Sequence, residues 1–436
     1  MHSRSSLTHT GHDTGSDYVI YPGTEWFAEA FDTSIVTAWV KASRVPHWLR
    51  PASIDIGSPL TACDECPHLH EDCVDGNVCV DHFEREMALY RTARDTRQEV
   101  CEVHWSTGLA SLPDVALQRI RRAIGEHFEL TPEASLTVRI DSSGREKEPL
   151  PLLHELGATS VHIGTARARD VDHDFTREQV LAARAAGFRS IAVDLPIDGA
   201  RKPRQMSLAP IDAVISCRPT RVMLTRECDS AMPGTNFPET VLRSISDNRH
   251  QIAATLIDAG YQCIASDVFA LRTDTHAIAH GRGCLTRQPY GYSAQPVSTL
   301  IALGPGTVGY VGALYYQNQR LPQSYSSMLR AGQLPVERGL FLTPDDLIRR
   351  TIIMSISTNL FVDIAAIEAA YGIDFRSTFA SEWKQLEKLE RAGLLTVGTQ
   401  EISLTPAGRL AGGLVCRVFD LRTRLLADKI PNDDLL

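Results

Sequence analysis

Hydrophobic and polar positions along this chain change period repeatedly, and the changes mark its elements. Residues 102–105 are strand-like. Ser111 and Pro113 then open a helix whose apolar positions Val115, Leu117, Ile120, Ile124 and Phe128 follow helical spacing. The pattern continues with a strand at 136–140, a short helix at 151–156 and a strand at 160–164. Thr176 caps a helix with Gln179 in capping-box position, and Gly187 ends it. Strands follow at 190–195, 213–215 and 222–224, then a helix from Asp247 to Gly260 and a strand at 262–266. Such alternation predicts a parallel sheet with helices outside, as an open sheet or barrel.

The flanks read differently. Residues 17–31 are aromatic and apolar, and with Trp39 and Trp48 they wrap or enter the main domain. A strand-like run at 53–57 breaks into a cysteine-rich loop, and a helix at 82–96 takes its apolar surface from Phe83, Met87, Leu89 and Tyr90. Near the C-terminus Thr343 caps a helix, Pro344 sits at its first position, and Asp345 and Asp346 face the dipole. Helices to Asn359, at 363–371 and at 377–392, two short strands at 395–397 and 401–404 and a final helix from Thr405 resemble a winged helix. Its third helix carries mixed charge, so a packing domain without DNA contact is expected. The predicted division is a flexible tail (1–17), an α/β barrel domain (18–335), a helical domain (336–425) and a second tail (426–436).

Composition narrows the function classes. Hydrophobic content of 43% and charged content of 22% fit a soluble globular protein. A formal charge of −9 argues against a general nucleic-acid partner. No apolar run is long enough for a bilayer, and the start lacks the apolar core of a secretion signal, so a cytoplasmic protein is expected. Ten cysteines in that setting favour metal or redox chemistry over disulfides.

Four of those cysteines and two histidines fall between Pro51 and Cys79: Cys63, Cys66, His68, His70, Cys73 and Cys79. The pair Cys63 and Cys66 is a C-x2-C unit, which with further ligands suits a closed zinc site or an iron–sulfur cluster. The same residues also read as reduced, unliganded thiols. His104, His154, His162 and Cys217 lie near strands and are candidate haem ligands, although a histidine in such a place is more often a satisfied core residue. Gly304 and Gly306 begin a GxGxxG pattern without the long helix and acidic residue of a dinucleotide site, so they read as a turn lining a cavity. Arg201, Lys202, Arg204, Arg282 and Arg287 could meet substrate carboxylates, and otherwise read as solvated surface charge.

Several segments resemble oxygen-independent coproporphyrinogen III oxidase, of the radical S-adenosylmethionine (SAM) superfamily. They are residues 259–269, 290–294, 315–319, 338–350 and 405–409, with 18–22 at the other end. The likeness extends over about residues 18–425. It implies an incomplete parallel (β/α) barrel of radical SAM type with a C-terminal helical, winged-helix-like domain. It also implies a [4Fe–4S] cluster, SAM, and oxidative decarboxylation of propionate side chains by a 5′-deoxyadenosyl radical.

Against that pattern the chain departs at its SAM-holding positions. Cys63 and Cys66 supply the last two thiolates of the family's CxxxCxxC loop, and Pro59 or Thr61 stands where the first belongs. The family tyrosine that helps hold SAM corresponds to Asp55. The glycine-rich segment is residues 106–110, with Gly108 as its one glycine. The glutamate that pairs with the SAM ammonium becomes Arg139, two residues before Asp141. A family glutamine aligns near Ala166, and the aspartate of the next strand persists as Asp194.

These departures make ordinary radical-SAM chemistry, and SAM itself, unexpected. The expected function is a repurposed, metal-dependent redox enzyme tailoring a small molecule in specialised metabolism. An N-hydroxylated amino acid, as in siderophore residues with N–N bonds, is one candidate substrate. The alternatives are a haem or tetrapyrrole carrier and an oxygen-independent coproporphyrinogen III oxidase with an atypical cluster. Asp194, Arg139 and His162 are the candidate catalytic residues. Gly108, Asp141, Gly304 and Gly306 are the candidate cofactor contacts.

Overall fold

A computed structural model describes residues 18–29, 31, 33–42, 51–57, 76–93, 97–106, 108–110, 112–141, 149–164, 173–197, 209–226 and 239–427. The predicted N-terminal tail, Cys63, Cys66, His68, His70 and Cys73, the Arg201–Arg204 stretch and residues 428–436 lie outside the described residues, whereas Leu426 and Ala427, placed in the second tail, end the helix Leu421–Ala427. The chain divides into two compact units. Of the described residues, one comprises those within Thr24–Val193 and Gln295–Leu342, and the other those within 18–23, Asp194–Ala294 and 343–427.

The first unit holds β1 (Ala52–Ile56), β2 (Gln98–Trp105), β3 (Phe128–Asp141), β4 (Ser160–Gly164) and the start of β5 (Ser190–Ile197). Helices Gly76–Thr92, Asp114–His127, Leu150–Glu155 and His173–Ala186 fall between them. Every neighbouring pair from β1 to β5 is parallel. This is the strand–helix order of an incomplete (β/α) barrel, and its predicted α/β class holds.

The second unit contains β6 (Arg221–Arg226), β7 (Gln262–Ala265), β8 (Val268–Ala270), β9 (Thr286–Gln288) and β10 (Gly291–Ser293). Strand β8 is antiparallel to both β6 and β7, and β9 and β10 form a hairpin. The chain then returns to the first unit with β11 (Thr299–Leu303), β12 (Val308–Val311), β13 (Leu314–Asn318) and β14 (Val336–Phe341). Strand β11 runs parallel to β1, and β11 to β14 follow one another antiparallel.

The remaining strands, β15 (Phe361–Asp363), β16 (Leu395–Val397) and β17 (Glu401–Leu404), form an antiparallel sheet in the order β15-β17-β16. With helices Pro344–Asn359, Ile364–Tyr371 and Ala380–Arg391 this makes the winged-helix-like part of the second unit. Thr343 and Asp346 form a reciprocal capping box, as their spacing predicts. Ile352, Ile353, Ile356, Phe375, Phe379, Leu386 and Phe419 fill its core.

Several sequence expectations change. Thr176 does not cap a helix but lies within His173–Ala186, and the helix expected from Asp247 begins at Glu239. Residues 213–215 are not a strand but part of the helix Ala209–Cys217. Its buried positions Ile211, Val214 and Cys217 recur every third residue, which a three-residue apolar run cannot reveal. Phe128 does not close a helix. It opens β3, with φ −125° and ψ 161°, and pairs with Gln98. Val115 is 65% exposed and lies outside the core.

Candidate functional site

Side chains alternate sides along a strand, and register partners in parallel strands share a side. This sorts β1–β5 into two unlike faces. One carries Ile54, Ile56, Val103, Trp105, Leu136, Val138, Ile140, Val161, Ile163, Ile191 and Val193. The other carries Ser53, Asp55, Glu102, His104, Thr137, Arg139, Ser160, His162 and Ser190. Most of those polar residues are buried, Glu102 to 4%, His104 to 3%, Arg139 to 5% and His162 to 6% exposure. Sheets buried on both faces normally show near-continuous apolar runs, so a buried polar face is built for a ligand or for chemistry.

Two contacts organise this face. Asp55 and His104 are register partners on β1 and β2, and their Oδ1 and Nδ1 lie 2.8 Å apart. A carboxylate can only accept, so Nδ1 carries the proton and the ring's lone pair falls on Nε2. One step nearer the carboxyl ends of the strands, Arg139 and His162 are partners on β3 and β4. Arg139 Nη1 lies 3.0 Å from Nδ1 and 3.2 Å from Nε2 of the imidazole. Beneath them the Ser53 hydroxyl is buried with no hydrogen-bond partner among the described residues. In open and barrel α/β folds, ligands sit at the carboxyl ends of the strands, the level of Arg139 and His162.

The structure thus brings Arg139 and His162 together. Asp194 is buried on β5, on the same side of that strand as Ala192. Asp141 ends β3, where its backbone pairs with Gly164. Gly108 lies in the turn after β2 with φ 90°, a conformation that L side chains rarely adopt. Gly304 and Gly306 occupy the turn of the antiparallel β11–β12 hairpin, where a dinucleotide fingerprint would need a strand–turn–helix.

The remaining candidates separate. Cys79 is buried on the helix Gly76–Thr92, and the described residues contain no group of three or more metal-capable side chains. His154 is exposed on its helix and packs against Phe188, away from the strands where it was expected. Cys217 is buried and donates to the Val214 carbonyl at the end of its helix. Arg287 is not surface charge. It is 5% exposed, with Asp267 at 3.4 Å and the Tyr292 ring beneath it at 4.3 Å, whereas Arg282 is exposed.

Sequence reasoning missed Glu86 altogether. Its carboxylate is fully buried and accepts hydrogen bonds from Tyr325 Oη (2.5 Å), Asn318 Nδ2 (2.7 Å) and the Gly304 amide (2.9 Å). Burial pushes its pKa up to about 8 despite those donors. The available signal was a carboxylate on the helix face formed by Phe83 and Tyr90, at three- and four-residue steps.

Two positions differ from the pattern that the resemblance implies. Arg139, which the resemblance puts in place of the ammonium-pairing carboxylate, is a guanidinium buried beside His162. Only two of the three cluster thiolates occur at the matching spacing, Cys63 and Cys66.

Comparison with known proteins gives the lineage. A sequence profile of the HemN C-terminal domain matches residues 342–411. The oxygen-independent coproporphyrinogen III oxidase of Pseudomonas aeruginosa is 31% identical over 359 residues, covering 77% of this chain and 77% of that protein. The Helicobacter pylori enzyme of the same name is 26% identical over 436 residues, with 94% of each chain covered. The solved coproporphyrinogen III oxidase HemN of Escherichia coli, described as a radical SAM enzyme, superposes with a TM-score of 0.76. It is 25% identical and the match covers 93% of this chain and 97% of that one. Parallel sheet, C-terminal helical domain and sequence agree along almost the whole length, and this chain belongs to the oxygen-independent coproporphyrinogen III oxidase family.

Proposed function

We propose that this family member has turned the barrel to redox chemistry on a different small molecule, without the SAM-dependent step. The observation that supports this reading is the buried Arg139 beside His162 on the polar face. A guanidinium there repels a sulfonium or ammonium ligand and attracts a carboxylate or another anionic group. The proposed substrate is therefore a small anionic molecule. An N-hydroxylated amino acid of specialised metabolism is one member of that class and would bring its carboxylate to Arg139.

On this reading His104 is the proton-transfer group of the face. Asp55 holds its Nδ1 proton, which leaves Nε2 to take a proton from the ligand or return one. Cys63 and Cys66 would hold a metal as thiolates, zinc or an iron–sulfur unit, and that metal would supply the Lewis-acid or redox step.

A second reading, oxidation of coproporphyrinogen III with SAM through an atypical cluster, is favoured by the names of the relatives. A haem-carrier reading has less behind it at His162, whose two ring nitrogens both face Arg139, whereas the Asp55 contact of His104 does not argue against it.

Anaerobic purification followed by an absorption spectrum and assays for iron, sulfide and zinc separates the three readings. Metal bound in proportion to Cys63 and Cys66, without reductive SAM cleavage, supports the proposal. Reductive SAM cleavage with consumption of coproporphyrinogen III selects the second reading. A sharp Soret band selects the haem carrier.

A further inference from the structure

We propose that Arg338, oriented by Gln317, is a second anion-recognition residue on the polar face of the sheet and takes a carboxylate of the bound molecule. This does not depend on the reading of Arg139. Only one consequence rests on that reading, that the substrate carries two anionic groups.

The strand register places the pair. Strand β12 is antiparallel to β11, and β13 to β12, so β13 ends and β14 begins where β1 and β11 finish. Gln317 on β13 is the register partner of Arg338 on β14 and of Val308 on β12. Val308 shares a side of its strand with Tyr310, Tyr310 pairs with Leu300, and Leu300 pairs with Ser53. Arg338 and Gln317 therefore stand on the same face as Asp55, His104, Arg139 and His162, toward the carboxyl ends of the parallel strands.

The chemistry of the pair is that of a cation without a counter-ion. Arg338 is 8% exposed. Its Nε donates to Gln317 Oε1 at 2.7 Å, and Gln317 Nε2 donates to the Gly306 carbonyl at 2.8 Å, which fixes the amide. The guanidinium plane is thus set through one nitrogen. Its two terminal nitrogens bond to nothing among the described residues, and neither is sealed in. The adjacent carboxylate, Glu337, is committed to Arg320, through Nη2 at 2.7 Å and the amide at 2.8 Å. Burial, and then the Arg320 charge, hold the Arg338 pKa below its ordinary value, with Glu337, Glu29 and Glu25 offsetting part of this. A buried cation is normally paired, because desolvation is otherwise uncompensated. The free edge of the guanidinium is the fork that receives a carboxylate through two parallel hydrogen bonds. Its surroundings are aromatic. The Phe27 ring lies 6.0 Å from the guanidinium carbon, and Tyr315 packs on both Phe27 and Tyr310. Such walls exclude water and strengthen a charge pair.

A purely structural Arg338 would hold Gln317 and meet only water with its other nitrogens. Phenylglyoxal, which modifies accessible guanidinium groups, separates the two roles when the labelled full-length protein is digested and each arginine is followed by mass spectrometry. Arg338 should react, and an excess of succinate should slow that reaction by about threefold or more relative to chloride of equal ionic strength. Exposed Arg282 should react at an unchanged rate. Gln317→Glu supplies a carboxylate from within the protein and should abolish the succinate effect at Arg338, with far-ultraviolet circular dichroism confirming the fold. An Arg338 that does not react, or reacts equally with and without succinate, overturns the proposal, as does undiminished protection in folded Gln317→Glu. Protection at Arg338 alone supports this proposal and counts against the reading of Arg139. Protection at Arg139 alone overturns this proposal and leaves that reading standing. Protection at both supports a substrate with two anionic groups.

Discussion

Arg139 on β3 and His162 on β4 are register partners, and Arg139 Nη1 lies 3.0 Å from the His162 Nδ1. A buried cation set against an imidazole at the ligand-binding end of the sheet reverses the charge preference of that position. Arg139→Gln should therefore tighten SAM binding by about tenfold or more, since two like charges near 4 Å repel by several kcal/mol at an effective dielectric of about 20. Equilibrium dialysis with labelled SAM reads this directly. Equal binding by both proteins would remove Arg139 from the account.

Asp55 and His104 are a second buried pair, and the His104 ring is 4% exposed. Asp55→Ala leaves a buried donor without its acceptor and should cost about 1–3 kcal/mol in urea unfolding. Asp55→Asn retains an oxygen that can accept and should cost less. Equal costs for the two variants would show that the hydrogen bond contributes little.

The charge on Glu86 gives a pH dependence of stability. Burial raises its pKa from 4.5 to about 8 in the fold. Between those values the native state holds a proton that the unfolded chain releases, so this group's contribution is present below about pH 4.5 and is lost as pH rises through 8. The loss should approach about 5 kcal/mol and be absent in Glu86→Gln. Unfolding midpoints of the two proteins from pH 5 to pH 8.5 check the slope, and parallel curves would contradict it.

Cys63→Ser and Cys66→Ser should each abolish metal retention while leaving the parallel sheet intact, because all described strands lie outside that loop. Elemental analysis with far-ultraviolet circular dichroism distinguishes loss of the ligand from loss of the fold. Unchanged metal content in both variants would place the metal elsewhere or leave the thiols as bystanders.

Much of this fold was legible in the sequence because its signals are local. The Thr343–Asp346 capping box, the strand at Ser160–Gly164 and the stop at Gly187 each depend on a few neighbouring residues. Ala213 to Ile215 was misread because a short apolar run fits a strand and a buried helix turn equally well. The site was only half legible. Arg139 and His162 stand out singly, but their contact depends on the register of β3 and β4, which spacing along the chain does not encode. The same holds for Asp55 and His104, 49 positions apart, and for Glu86, whose partners lie more than 200 residues downstream. Arg287 reads as surface charge until the fold sets Asp267 and Tyr292 around it.

The central claim is that the barrel has given up the SAM-dependent step. Its most direct test is reductive SAM cleavage by the full-length protein, reconstituted anaerobically with iron and sulfide and reduced with dithionite. The account predicts 5′-deoxyadenosine no higher than in a protein-free control, with or without coproporphyrinogen III. Formation of 5′-deoxyadenosine above that control, lost in Cys63→Ser and Cys66→Ser, would contradict it.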